Sequence, residues 1–172
     1  LTRAATMAKA CRIQSSLEQN PGADLGATMA SLAQAGRDKM TLIASPQIAA
    51  FGLWVEQLLA ESTGKEGIGL IPVAHEPIVA PAAYGSDRLF IYLRLKGDQN
   101  RPLDLQVAKL ARQGHPVLTL SLQDRYDVAG EFFRWEVATA LAGHLLGIHP
   151  FDQPNVQESK NNTARVLETL QS

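Results

Sequence analysis

Arg88-Leu-Phe-Ile-Tyr-Leu-Arg-Leu95 is the stretch on which the fold turns. Its apolar character is almost unbroken from Leu89 to Leu93. A strand with one wet face would alternate apolar and polar residues. A run without alternation implies burial on both faces, as inside a parallel sheet. Three further segments read as strands: Met40–Ala44, Ile68–Val73 and Pro116–Leu122.

Helical patterns separate the strands. Thr2–Leu17 reads as a helix stopped by Asn20-Pro21. Leu25, Met29, Leu32 and Ala33 recur at helical spacing, and Gly36 supplies the stop. Ser45-Pro46 turns the chain into a helix carrying Ile48, Phe51, Val55, Leu58 and Leu59, closed by Gly64. Pro102 opens a helix with Leu103, Val107, Leu110 and Ala111, ended by Gly114. A longer helix puts Val128, Phe132, Trp135, Thr139, Ala142 and Leu145 on one stripe and closes at Gly147. A last helix runs from about Asn155 to Leu170. Strands separated by helices imply right-handed crossovers. The expected architecture is a three-layer αβα sandwich with a mainly parallel sheet of flavodoxin-like type. Ligands of such sheets are expected beyond the carboxyl ends of the strands.

The chain has 172 residues, enough for a single domain with a sizeable core spanning 1–172. A net charge of −1 gives no basic footprint for nucleic acid. No apolar run approaches the roughly 18–20 residues that span a bilayer. One cysteine, Cys11, excludes an internal disulfide; it fits a cytoplasmic setting and reads as a small packed residue. The opening LTRAATMAKACRI begins directly in a helical pattern and lacks the Ser/Arg richness of a transit peptide. It reads as the first helix of a domain belonging to a longer polypeptide.

Two residues stand out by spacing. Glu61 follows Trp54 and Leu58 by seven and three positions, which places it on the apolar face of its helix and in the last turn, near the negative end of the macrodipole. Burial and dipole would both raise its pKa, as suits a general base near neutral pH. A surface glutamate paired with Lys65 fits the same spacing. Lys160 has Val156, Thr163 and Leu167 at −4, +3 and +7 and so lies on the inward stripe of the last helix. It needs an anion or a ligand there, or it lets its ammonium snorkel to water. Gln153, in the loop before that helix, suits hydrogen bonds to sugar hydroxyls or bracing of the loop. Asp152 reads as a turn residue.

Other patterns fail. The four histidines, His75, His115, His144 and His149, lack a metal-ligand spacing. Gly67-x-Gly69 precedes a strand instead of following one. No Gly-x-Ser-x-Gly surrounds Ser45. No metal or other cofactor is expected.

Two stretches carry a resemblance. Glu61-Ser62-Thr63-Gly64-Lys65, following Trp54-Val55-Glu56-Gln57-Leu58, is similar to the Glu-Ser-x-Gly-Lys segment of phosphoglucose isomerases. Phe151-Asp152-Gln153-Pro154-x-Val156-x-x-x-Lys160 resembles the second signature of that family. The stretch from Gly36 to Val73 looks most like the version fused behind a transaldolase in some bacteria. The resemblance covers nearly the whole chain but only the second of the family's two sugar-isomerase (SIS) domains.

The resemblance implies roles. Glu61 aligns with the base that moves a proton between C2 and C1 of a hexose phosphate through an enediol(ate). Lys160 aligns with the lysine near the ring oxygen and O1 that helps ring opening. Gln153 aligns with a glutamine touching the phosphate or a hydroxyl. It further implies glucose 6-phosphate and fructose 6-phosphate as substrates, an N-terminal SIS domain as partner, and a homodimer among the assemblies it allows. Three departures qualify the likeness. The Gly-Thr-Asn-Gly-Gln-His segment is replaced by a loop with Pro72, Pro77 and Pro81, leaving His75 as a weak stand-in for the ring-opening histidine. The first signature and the Ser/Thr phosphate loop are absent. Asn155 and Gln157 replace the usual glycine and acidic residue. A non-catalytic sugar-phosphate-binding module, and mannose 6-phosphate as main substrate, stay open alongside the isomerase reading.

Overall fold

The four strands are β1 (Lys39–Ala44), β2 (Ile71–Ala74), β3 (Arg88–Leu95) and β4 (Val117–Leu122). They form one parallel sheet in the order β2-β1-β3-β4. The computed structural model describes residues 1–12, 16, 19–65, 67–152 and 154–171, with the side chains of all of these except 154–157, 170 and 171. In β3, Leu89 through Leu93 are all buried, as the unbroken apolar run requires. Six helices connect or flank the strands: α1 (Thr2–Ala10), α2 (Pro21–Gln34), α3 (Ala50–Thr63), α4 (Arg101–Arg112), α5 (Val128–Leu145) and α6 (Pro154–Gln171).

The side chains of the sheet alternate between two cores. Met40, Leu42, Leu89, Ile91, Leu93, Leu120 and Leu122 face α2, α3 and α5. Ile43, Phe90 and Tyr92 face α4 through Val107 and Leu110. Helices therefore cover both faces of the sheet, and the three-layer αβα sandwich stands. Each fully buried leucine in these layers contributes about 1.5–3 kcal/mol of transfer free energy.

Two boundaries differ from the sequence expectation. The first helix ends at Ala10, well short of Leu17; residues 13–15, 17 and 18 lie outside the described residues. Asn20 accounts for the break. Its side-chain oxygen accepts from Ala23 N and caps α2, while its amide donates to the carbonyl of Arg12. Strand β2 begins at Ile71 instead of Ile68 because Ile68 turns back and pairs with Lys65 through two backbone hydrogen bonds, 2.8 and 2.9 Å.

Chain direction decides where the candidate residues go. Strand β1 ends at the carboxyl edge of the sheet, and α3 then runs back to the amino edge, where β2 starts. Helix α5 makes the same return after β4. Its end is tied to the end of α2 by the Gln34 amide, which donates to the Leu145 carbonyl at 2.9 Å.

Candidate active site at the amino edge of the sheet

The end of α3, which carries Glu61, and the loop after α5 meet through Lys65. The sequence reading expected ligands beyond the carboxyl ends of the strands. Glu61 instead lies toward the opposite edge, because α3 returns there from the end of β1.

The end of α3 is built tightly. Thr63 is buried; its hydroxyl donates to the Leu59 carbonyl at 2.7 Å and accepts from Leu70 N at 3.0 Å. This one side chain closes the turn from Gly64 to Leu70. Gly69 has φ +148°, and a Cβ there would lie 2.5 Å from the Thr63 carbonyl oxygen, so no other residue fits without rearrangement. The turn holds Lys65 at a fixed place beside the helix end.

Lys65 is only 6% exposed. Its ammonium donates to the backbone carbonyls of His149 and Asp152 and to the Asp152 carboxylate. The Lys65 ammonium in turn holds the Asp152 carboxyl below the usual carboxylate range, mainly through that hydrogen bond. The loop receives a second anchor on α5, where Ile148 N donates to the Gly143 carbonyl at 3.0 Å. Helix α6, which carries Lys160, starts two residues after Asp152. The two stretches that carry the family resemblance, about ninety residues apart in sequence, are therefore joined in space.

The expected inward orientation of Glu61 does not hold. Glu61 is exposed, and its carboxylate accepts from the Gln57 amide at 3.0 Å. The buried stripe of α3 is Phe51, Val55, Leu59 and Thr63. Glu61 stands two residues from both Leu59 and Thr63, about 200° around the helix from each. Trp54 and Leu58, from which its position was counted, mark the flank of that stripe. Nor does Glu61 pair with Lys65, whose three donors go to the α5–α6 loop.

Lys160 is exposed too, and the inward stripe assigned to its helix is absent. Residues 158–169 of α6 are all exposed; among the described residues no other element packs extensively over the helix. Among the described residues, Lys160 makes no side-chain hydrogen bond or ion pair. Gln153 lies outside the described residues. His75 adopts φ 57°, and its ring contacts the Ala49 carbonyl at 3.1 Å. That contact is at the start of α3, and Glu61 is twelve residues further on, about 18 Å along the helix axis. His75 and Glu61 thus occupy opposite ends of α3 and do not share a cleft within this chain.

Sequence reasoning missed two features. Lys65 as a clamp was present in the Glu-Ser-Thr-Gly-Lys segment, yet spacing alone offered only Glu61 as its partner. Glu131 was missed because the stripe of α5 was placed on Val128 and Phe132. The buried set is Glu131, Trp135, Ala138, Thr139 and Ala142. Counting back by four from Trp135 would have reached Glu131. Phe132 nonetheless packs, forming edge contacts with Phe51 and Trp54 at 4.9 and 4.4 Å between ring centroids.

No family model matches the chain. Its sequence is similar to those of glucose-6-phosphate isomerases. It is 28% identical to a probable glucose-6-phosphate isomerase of Halobacterium salinarum, over 88% of this chain and 44% of that protein. The chain spans less than half the length of the curated relatives it matches. Among solved structures, it superposes on a hypothetical protein from Thermus thermophilus with a TM-score of 0.82 at 18% identity, covering 96% of this chain and 49% of that one. It superposes on a glucose-6-phosphate isomerase from Chlamydia trachomatis with a TM-score of 0.69 at 15% identity, covering 99% and 42% respectively. At those identities the superpositions speak for the fold alone.

Among the described residues, no helix is long and apolar enough to cross a membrane.

Proposed function

We propose that this chain is the C-terminal SIS domain of a glucose-6-phosphate isomerase, acting in the cytoplasm and carried by a longer polypeptide that supplies the phosphate-binding half. A transaldolase preceding that half, and a homodimeric assembly, belong to the same reading. In it, Glu61 takes the proton from C2 of the open-chain aldose and returns it to C1 through an enediol(ate). Lys160 lies by the ring oxygen and O1 and assists ring opening. Gln153 hydrogen-bonds the phosphate or a hydroxyl, a role that rests on the resemblance alone.

One observation carries the reading. The Lys65 clamp joins the end of α3, with its Glu-Ser-Thr-Gly-Lys segment, to the loop that opens the helix of Lys160. Two stretches remote in sequence and resembling one family's two active-site segments thus share one sheet edge. Glu61 and Lys160 are both exposed, which leaves them open to a facing domain. Such a domain would bury Glu61, which this chain alone leaves exposed.

The exposure of both residues equally favours a non-catalytic sugar-phosphate-binding module. Glucose 6-phosphate turnover by the full-length protein, with and without Glu61→Gln, separates the two. The isomerase reading expects the substitution to abolish turnover while 6-phosphogluconate still binds. Unchanged turnover rejects the base assignment. Comparing glucose 6-phosphate with mannose 6-phosphate in that assay fixes the main substrate.

A further inference from the structure

We propose that Lys65 is a positioning residue: it sets the α5–α6 loop, and through it Lys160, against the end of α3, and it does not bind the substrate phosphate. This inference rests on the reading of Glu61 and Lys160 given above. A lysine four residues after a catalytic base, in a protein that handles phosphorylated sugars, is an obvious candidate for a phosphate ligand. The geometry points the other way.

A lysine ammonium has three N–H donors and no acceptor. At Lys65 three oxygens take them: the carbonyls of His149 and Asp152 and the Asp152 carboxylate. At 6% exposure no face of the ammonium is left for an incoming anion. A phosphate would have to displace a carboxylate already in contact, and the buried ammonium would lose its two carbonyls as it moved. Lys160 is the opposite case, exposed and with no ion pair among the described residues.

The clamp acts at the right place. Thr63 and Gly69 fix the turn that presents Lys65, so the ammonium is held relative to the helix end of Glu61. Its three acceptors lie within four residues, His149 to Asp152, just before α6. Without it, the α5–α6 loop keeps the Ile148–Gly143 hydrogen bond on the α5 side but loses the Lys65 hydrogen bonds that tie it to the end of α3. A displacement of about 1 Å between catalytic groups can cost on the order of 100-fold in rate.

The test uses Lys65→Met and Lys65→Arg in the full-length protein, with Glu61→Gln alongside, and amide exchange on the 172-residue chain. Lys65→Met is expected to lower kcat about 100-fold with KM for glucose 6-phosphate within about twofold. Lys65→Arg, which keeps a charged donor, is expected to recover at least about tenfold of that loss. Exchange at Gly147–Asp152 should quicken in Lys65→Met, while Leu89–Leu93 stays protected and so reports an intact core. A raised KM at unchanged kcat would make Lys65 a substrate ligand and overturn the proposal. Unaltered exchange at Gly147–Asp152 would overturn it whatever the activity. If Glu61→Gln leaves turnover intact, the base assignment fails by itself, and the exchange data still decide whether Lys65 holds the loop.

Discussion

Gly26 and Ala138 touch backbone to backbone: a Cβ built on Gly26 would lie 2.5 Å from the Ala138 carbonyl oxygen. Helices α2 and α5 thus approach as closely as their main chains allow, and Gly26 exists to permit it. Gly26→Ala is expected to force the helices apart and to cost about 1–3 kcal/mol, as overpacking does. Chemical denaturation with an unchanged m-value would measure it. A loss near zero would show that the two helices are less tightly seated.

Glu131 makes a second prediction, about pH. It is 2% exposed, its Oε2 has no hydrogen-bond partner, and Arg134 reaches its other oxygen only at 3.4 Å. Burial pushes its carboxyl pKa up; the Arg134 charge opposes this, Asp127 adds to it, and the nearby Trp135 indole, poorly aligned, lowers it a little. A carboxyl whose pKa is higher folded than unfolded binds more protons in the folded state. Its effect is then to weaken the fold as pH rises from the ordinary value of 4.5 through the raised one. Glu131→Gln, which removes the buried charge, should therefore stabilise the chain at pH 7 by about 1 kcal/mol. The gain should shrink at pH 4, where the wild-type carboxyl is protonated. Thermal unfolding at the two pH values checks it; an equal gain at both would contradict the role of charge.

Gly69 makes a third. Its φ of +148° and the closeness of the Thr63 carbonyl leave no room for a side chain. Gly69→Ala should open the turn that presents Lys65 and cost about 1–3 kcal/mol. Because that turn supports the clamp, amide exchange should also quicken at Gly147–Asp152, far along the chain from the substituted residue. Confinement of the effect to 64–70 would show that the turn and the loop are independent.

The layers of this protein were legible because burial on both faces writes a continuous apolar run, and Arg88–Leu95 has one. Strand β4 reads differently: Leu118, Leu120 and Leu122 alternate with Thr119 and Ser121, and only Leu120 and Leu122 are buried. Helix faces were read less well. On α5 the expected Trp135, Thr139 and Ala142 are buried, but Phe132 and Leu145 are exposed, and Glu131, charged yet buried, was overlooked. On α3, Trp54 and Leu58 are apolar but flank the core, so counting from them turned Glu61 the wrong way. On α6 the periodic Val156, Thr163 and Leu167 imply a covered face, but Thr163 and Leu167 are exposed, with nothing packed extensively over them among the described residues. Glu61 also stands toward the amino edge of the sheet, away from the carboxyl ends where ligands were expected. Spacing along a sequence says which side of a helix a residue occupies, and chain direction through the sheet says at which end that helix stops. Lys65 escaped notice since its partners, His149 and Asp152, are more than eighty residues away and two of its three bonds are to backbone.

The most direct test of the central claim is deuterium incorporation at C1 of fructose 6-phosphate when the full-length protein acts on glucose 6-phosphate in heavy water. With Glu61 as the base that carries the proton from C2 to C1, some carried protons exchange with solvent, and the product acquires deuterium at C1. The account predicts that incorporation accompanies turnover in the wild type and falls at least about 100-fold in Glu61→Gln. Deuterium entering C1 at the wild-type rate in that variant would contradict it.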